Sequence, residues 1–289
     1  MDKEYTIIAI NDTQTLLQYR AAILDLFALC FDNEMDPDLW DWAYQNNPCG
    51  DAYVQLAYNG DEIVGHYAMI PQYYRNNTQQ QMVALSMTTM VHPSHRRAGL
   101  FQTLAGACYE KATRDGLFAV LGFPNSKSTP GFKKRLQWQC NDDYQIIKIK
   151  TIKQDSDDQF QIITPDEFCD CYQANGRNYM LDLNQKELLL WRLSKPGTDY
   201  LLLQGEQQTL FIVKPYAETL DVVFASTPVI PEGLRSYAEN HGYTALVSFS
   251  TETDSQTDYI EGTQYRFGYR GFQNSDIHFS PQLIMSDVF

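Results

Sequence analysis

Residues 91–101 read V-H-P-S-H-R-R-A-G-L-F, a mix of cations, glycine and proline suited to an anion. Residues 82–90, apolar and hydroxyl-rich, predict a strand before it, and residues 100–115 predict a helix after it. The first-turn N–H groups of a helix have no intrahelical acceptors, and the dipole there favours negative charge. Gly99 removes a Cβ where a phosphate must approach the backbone. Arg96 and Arg97 add fixed charge and planar donors. No Gly-Lys-Ser/Thr follows, so this is not a Walker loop. No Gly-x-Gly-x-x-Gly is present, so it is not a dinucleotide fingerprint.

The elements that must position this loop are legible around it. Residues 4–10 predict a strand, and residues 13–31 carry apolar side chains at helical spacing. Residues 36–45 form a second predicted helix, entered at Asp-Pro-Asp and left at Asn47-Pro48. Strands at 52–58 and 62–72 meet at Asn59-Gly60, a hairpin signal, and a turn at Asn76-Asn77 leads to a long strand over 79–91. After the loop and its helix come a strand at 117–122, a loop at 124–131, a short helix at 132–136 and a long strand at 138–152.

Bulk properties exclude several classes. The length of 289 residues suits two domains on a prior of about 150 residues each. Apolar content of 44% says folded, and no apolar run approaches the ~18 residues of a membrane span. Two early acids and no apolar core argue against a signal peptide, so the expected compartment is cytoplasmic. A net charge of −14 argues against nucleic acid or an anionic membrane as partner and is compatible with a cationic amine substrate. Six cysteines without a C-x-x-C, and histidines that do not cluster near them, argue against a zinc site or a disulfide framework. No metal is expected, and oligomeric state is left open.

The pattern Val91-x-Pro93-x-x-Arg96-x-x-Gly99-x-Phe101 resembles the pyrophosphate loop of the GNAT acyltransferases. Phe101 departs from it, standing where a small residue is usual. The element order of the first half is the order of that fold. The segments 42–48, 122–138 and 286–289 resemble GNAT proteins encoded with polysaccharide biosynthesis genes, which points by association to an amino-sugar acceptor.

The second half repeats the plan. Trp42-x5-Pro48-x4-Tyr53 has a counterpart in Trp191-x4-Pro196-x3-Tyr200, and residues 116–121 match residues 242–247. Where a second anion loop would lie, Glu232 precedes Gly233; a carboxylate there would repel a pyrophosphate by roughly a few kcal/mol. The expectation is an α/β (α+β) chain of two tandem GNAT-like domains. Each is a mixed, mostly antiparallel sheet flanked by helices, and the second is degenerate. The polar residues 153–160 suit a linker, which divides the chain into 1–152 and 161–289.

The resemblance implies that acetyl-CoA lies between the strands 79–91 and 117–122. The amides of Arg97, Ala98, Gly99, Leu100 and Phe101 would hold its pyrophosphate, with Arg96 beside them, while Val91 and Pro93 shape the pantetheine channel. A backbone N–H near Met90 or Val91 would polarise the thioester carbonyl. Asn125 stands where relatives place a pantetheine ligand; alternatively it is a turn former in Pro-Asn-Ser. The Tyr that commonly acts as acid in this family is replaced by Lys133, leaving water, Ser126, Ser128 or Lys133. No Glu lies in residues 79–91 to activate water. Tandem relatives use a terminal carboxylate, which makes that of Phe289 a candidate base; a packed terminus is the plainer alternative. His66 faces either the acceptor or only a hydrogen-bond partner, and His95 either touches phosphate or does not. The acids Glu34, Asp36, Asp38 and Asp41 either attract an amine or merely start a helix. The function these readings support is acetyl-CoA-dependent N-acetylation of a small primary amine. The alternative is a GNAT-fold module that binds acyl-CoA or a peptide without turnover.

Overall fold

The computed structural model describes residues 4–153, 160–174, 176–251, 259–273 and 276–286. The first half runs β1 (Thr6–Ile10), α1 (Thr13–Gln18), α2 (Arg20–Phe31), α3 (Pro37–Tyr44), β2 (Tyr53–Asn59), β3 (Glu62–Arg75), β4 (Gln80–Val91), α4 (Leu100–Arg114), β5 (Ala119–Gly122), α5 (Thr129–Arg135), β6 (Gln139–Asn141) and β7 (Gln145–Lys150). The second half runs β8 (Gln161–Ile162), α6 (Pro165–Cys171), β9 (Met180–Leu181), α7 (Lys186–Leu193), β10 (Leu201–Gln204), β11 (Leu210–Tyr216), β12 (Thr219–Ala225), α8 (Glu232–Asn240), β13 (Ala245–Ser250), β14 (Tyr259–Gln264) and β15 (Phe267–Gly271).

Local chemistry explains where these elements start and stop. Asp12 caps α1 by accepting from the Thr15 N–H at 2.8 Å, and Asp36 caps α3 with Pro37 at its first position. The expected helix over 13–31 is two helices, because Tyr19 turns the chain, its N–H closing on the Leu16 carbonyl at 3.0 Å. The short helix expected at 132–136 begins three residues earlier, at Thr129, where Pro130 fits the first turn. The strand expected over 138–152 is broken: Asn141 Oδ1 accepts from the Asp143 N–H at 2.7 Å, a side-chain turn that ends β6. Most of the expected linker, residues 154–159, lies outside the described residues.

That break has a topological purpose. Among the described residues the first sheet runs β1-β2-β3-β4-β5-β15-β6, with β9 on the outer end of β3, and the second runs β14-β7-β13-β12-β11-β10-β8. Both are mostly antiparallel with one parallel pair, β4 with β5 and β12 with β13. The strand beside β5 comes from the second half, β15, and the strand beside β13 comes from the first half, β7. The first half therefore gives β7 to the second sheet, and the second half gives β15 and the short β9 to the first. One apolar cluster runs through both, from Leu16, Trp42 and Leu85 to Leu189, Phe224 and Phe267.

The halves meet at a reciprocal pair of tryptophans. Trp42 Nε1 donates to the Trp191 carbonyl at 2.7 Å, and Trp191 Nε1 donates to the Trp42 carbonyl at 2.8 Å. Their rings stack 4.4 Å apart at 3°. These are the residues matched by the internal repeat, so the repeat relates two positions that touch. The Arg192 guanidinium lies 5.1 Å over the Trp42 ring and donates to the Ser286 carbonyl at 3.1 Å. Truncating Trp191 to Ala is expected to cost about 3–5 kcal/mol, as for other buried aromatics. Urea denaturation followed by circular dichroism reads this as a lower midpoint; a midpoint equal to wild type would show that the clasp contributes nothing.

Candidate functional site

The first sheet opens where β4 leaves β5. The two strands pair in parallel at Val83–Ala119, Ala84–Val120 and Leu85–Leu121. Beyond that, β4 continues to Val91, while β5 ends at Gly122 with its other edge on β15. The result is a wedge with one wall of β4 backbone. On its other edge β4 carries a bulge: His66 pairs Met90, but Ala68 pairs Met87, so Thr88 and Thr89 oppose Tyr67 alone. Thr88 has a φ of 52°, in the left-handed region.

Backbone alternation decides which amide faces the wedge. The His92 N–H donates to Val64 of β3 at 2.8 Å. Successive N–H groups of a strand point to opposite sides, so Met90 also donates toward β3 and Val91 points toward the wedge. The Cys30 thiol, at the end of α2, lies against that Val91 N–H; burial raises its pKa, opposed by the Arg96 charge and by this amide.

At the end of β4 the chain makes a short 3₁₀ turn, Pro93–His95. His92 Nδ1 accepts the Ser94 N–H at 3.1 Å. His95 is buried and meets the Tyr5 hydroxyl at 3.0 Å, so its ring supports the turn from beneath. Arg96, Arg97 and Ala98 are exposed, and Arg96 Nε reaches the Val91 carbonyl at 3.4 Å. Gly99 is the N-cap of α4 at a φ of 75°, a conformation that glycine adopts without strain. Its carbonyl accepts from Gln102 at 3.0 Å and from Thr103 at 3.2 Å. The Ala98 N–H is committed to the His95 carbonyl at 3.0 Å, which removes it from the expected set of donors. The N–H groups of Arg97, Gly99, Leu100 and Phe101 donate to no group among the described residues.

Phe101 has a structural explanation. Its ring packs edge-on to Phe132 at 5.2 Å and to Tyr67 at 6.4 Å. Gly131 makes the room: a Cβ there would stand 3.0 Å from the Phe101 ring. Beneath the wedge runs a buried hydrogen-bonded row. Ser86 Oγ donates to the Tyr67 hydroxyl at 2.8 Å, Tyr67 and Tyr109 hydroxyls lie 2.7 Å apart, and Trp138 Nε1 donates to Tyr109 at 2.9 Å. Burial pushes the Tyr67 phenol well above its ordinary pKa, so this row is neutral.

Other expected residues are held locally. Asn125 Oδ1 accepts from the Lys127 and Ser128 N–H groups, each at 3.0 Å, and so forms the turn before α5. Ser128 Oγ donates to the Asn125 carbonyl at 3.2 Å. Lys133, at the position where a Tyr is expected, is ion-paired with Asp142. Asp36 caps α3, and Asp41 pairs with Arg20 at 2.8 Å, so these two acids serve the helix. Phe289 lies outside the described residues. Residues that sequence reasoning passed over are Tyr44, whose hydroxyl donates to Thr88 Oγ1 at 2.9 Å, and Thr88 itself. A pair of threonines inside a strand pattern carries no sign of a left-handed bulge.

The second sheet has a corresponding opening, bridged along one edge by a side chain and still holding a cavity of about 220 Å³ lined by Val222, Ala225, Ser248 and Phe249. β12 and β13 pair in parallel from Thr219–Ala245 to Asp221–Val247. Beyond that, the Gln282 carboxamide pairs with both backbone groups of Ala225: Oε1 accepts its N–H at 2.8 Å, and Nε2 donates to its carbonyl at 3.0 Å. The helix that follows, α8, begins with Glu232 in its first turn, after Pro231. This end has neither the left-handed glycine nor the cations of the first.

Comparison with known proteins agrees with this geometry. Residues 17–140 match the family model described as the acetyltransferase (GNAT) domain. Among solved structures, a probable N-acyltransferase from Enterococcus faecalis V583 superposes with a TM-score of 0.68 at 10% identity, covering 93% of this chain and 73% of its own. A GCN5-related N-acetyltransferase from Anabaena variabilis gives 0.65 at 11% identity, with 93% and 73% covered. A tandem GNAT protein from the clavulanic acid biosynthesis pathway gives 0.58 at 11% identity, with 94% and 100% covered. No curated protein sequence matches significantly. Residues 17–140 therefore match an acetyltransferase (GNAT) domain, and the chain as a whole has the fold of these solved structures, a tandem GNAT protein among them.

Proposed function

We propose that this chain is an acetyl-CoA-dependent N-acyltransferase acting on a small primary amine, with its one donor site in the first half. The observation that carries the reading is the meeting of the β4–β5 wedge with a loop of undonated amides at its mouth. The N–H groups of Arg97, Gly99, Leu100 and Phe101 suit a pyrophosphate, with the exposed Arg96 and Arg97 supplying countercharge. Val91 presents the N–H suited to polarise a carbonyl inside the wedge, and Met90, whose amide faces β3, contributes by packing. Val91 and Pro93 flank the path between loop and wedge. The carboxamide N–H₂ of Asn125 is the group left to reach a pantetheine arm. Bound acetyl-CoA supplies an acyl group activated as a thioester. The acceptor enters from the side of α2 and α3, where Cys30 borders the Val91 amide. An amino sugar is the acceptor class suggested by the resemblance of residues 42–48 and 122–138.

The replacement of the customary acid by an ion-paired Lys133 favours the rival reading, a domain that binds acyl-CoA without turnover. Thiol release from acetyl-CoA across a panel of primary amines decides between them. Release accelerated by an amine supports transfer, and binding without release supports the rival.

Two outcomes test the donor site. Titration calorimetry with CoA should give a stoichiometry near one, because Gln282 and Glu232 occupy the corresponding places in the second half. Two equivalent sites would overturn the assignment. Gly99→Asp should abolish CoA binding, since it sets a side chain and a negative charge among the phosphates. No atom lies within 4 Å of a Cβ at residue 99, and the left-handed backbone there should cost the fold about 1–2 kcal/mol. Unchanged affinity in the folded variant would place the site elsewhere.

A further inference from the structure

His66 is an unusual residue for the middle of a sheet. It is 1% exposed, and its Nδ1 lies 2.7 Å from the Thr88 carbonyl. A carbonyl only accepts, so Nδ1 carries the hydrogen and Nε2 carries a lone pair. That Nε2 is buried and has no hydrogen-bond partner among the described residues. Burial pushes the pKa of the ring down to about 4, so it is neutral at physiological pH.

Its surroundings are equally specific. Across the ladder His66 pairs with Met90, the residue before the Val91 amide that faces the wedge. The Tyr44 ring stands edge-on to it at 6.4 Å and 90°. The Tyr44 hydroxyl and the His66 N–H hold two different atoms of the same residue, Thr88, at 2.9 and 2.7 Å. They fix a non-glycine residue in a left-handed conformation, at the bulge that turns β4 along the wedge. The arrangement is that of a base whose first nitrogen is held by an acceptor while the second is kept unprotonated.

Resting on the acyltransferase reading above, we propose that His66 is the general base of the transfer, acting through Nε2 directly or through one water, with Tyr44 and Thr88 as its positioning residues. His66 takes one proton from the acceptor nitrogen as that nitrogen bonds to the acyl carbon and the C–S bond breaks. It then gives the proton up to the departing thiolate, so that amine and thioester become amide and thiol.

His66→Asn separates this role from a structural one, because the Asn carboxamide can still donate to the Thr88 carbonyl but has no basic nitrogen in place of Nε2. Thiol release from acetyl-CoA is measured with water alone and with glucosamine as acceptors, beside CoA affinity by calorimetry. The expected result is a loss of about 10²-fold or more in turnover with CoA affinity unchanged. An Asn variant as active as wild type overturns the proposal and leaves the acyltransferase reading standing. A wild-type protein that binds no CoA overturns both. Should the variant not fold, ¹⁵N spectra of the wild-type imidazole provide the second measurement. Adding CoA and glucosamine together must shift the Nε2 resonance while the Nδ1–H signal persists. An Nε2 signal unmoved in the presence of bound CoA overturns the proposal.

Discussion

The parting of β4 from β5 after Leu85 and Leu121 is the constraint on which the rest of the molecule depends. A buried strand edge without partners is costly, because each unmet backbone group loses its bonds to water without replacement. The parting leaves the inner edge of β4 without a strand partner beyond Leu85. β5 instead pairs its other edge with a strand from far along the chain, β15, and β15 in turn holds β6. The bulge at Thr88, the buried row from Ser86 to Trp138 and the helix that presents Gly99 all shape or support the same opening.

The second sheet meets the same geometric problem and solves it differently. Its parallel pair also separates, but the Gln282 carboxamide supplies one acceptor and one donor to Ala225, the pattern of a neighbouring strand. A single side chain thus satisfies backbone that the first sheet leaves available. Glu232 in the first turn of α8 suits the helix dipole there and repels any anion. The two halves share an architecture, meet through matched tryptophans, and differ where the parallel pair of each sheet parts.

Much of the loop before α4 was legible because its residues are there for reasons of local chemistry. Gly99 answers to a backbone angle, Arg96 and Arg97 to charge, and Asn59-Gly60 to a turn; each needs only its neighbours to be interpreted. Periodicity likewise located β3, β4 and α4 within a few residues. What escaped depends on partners remote in sequence. Nothing in Gln145–Lys150 or Phe267–Gly271 states which sheet will take it, since both read as ordinary strands. The left-handed Thr88 is set by Tyr44 and His66, which lie in α3 and β3. The Ala98 amide could be excluded as a donor only once the carbonyl of His95 was seen to accept it.

The exchange of β7 and β15 ties biosynthesis to architecture. The strand beside β5 is not synthesised until residue 271, so a ribosome has made nearly the whole second half before the first sheet can close. The edge of β5 remains unpaired through that interval, as does that of β7, and open strand edges invite association with other chains. The contacts that end this state span well over a hundred residues, such as Gly268 with Gly122, which places closure late in folding. A gene cut at the boundary between the halves would yield two polypeptides, each carrying a strand that belongs to the other's sheet. Together they could reconstitute the fold only by association, as two fragments of one protein.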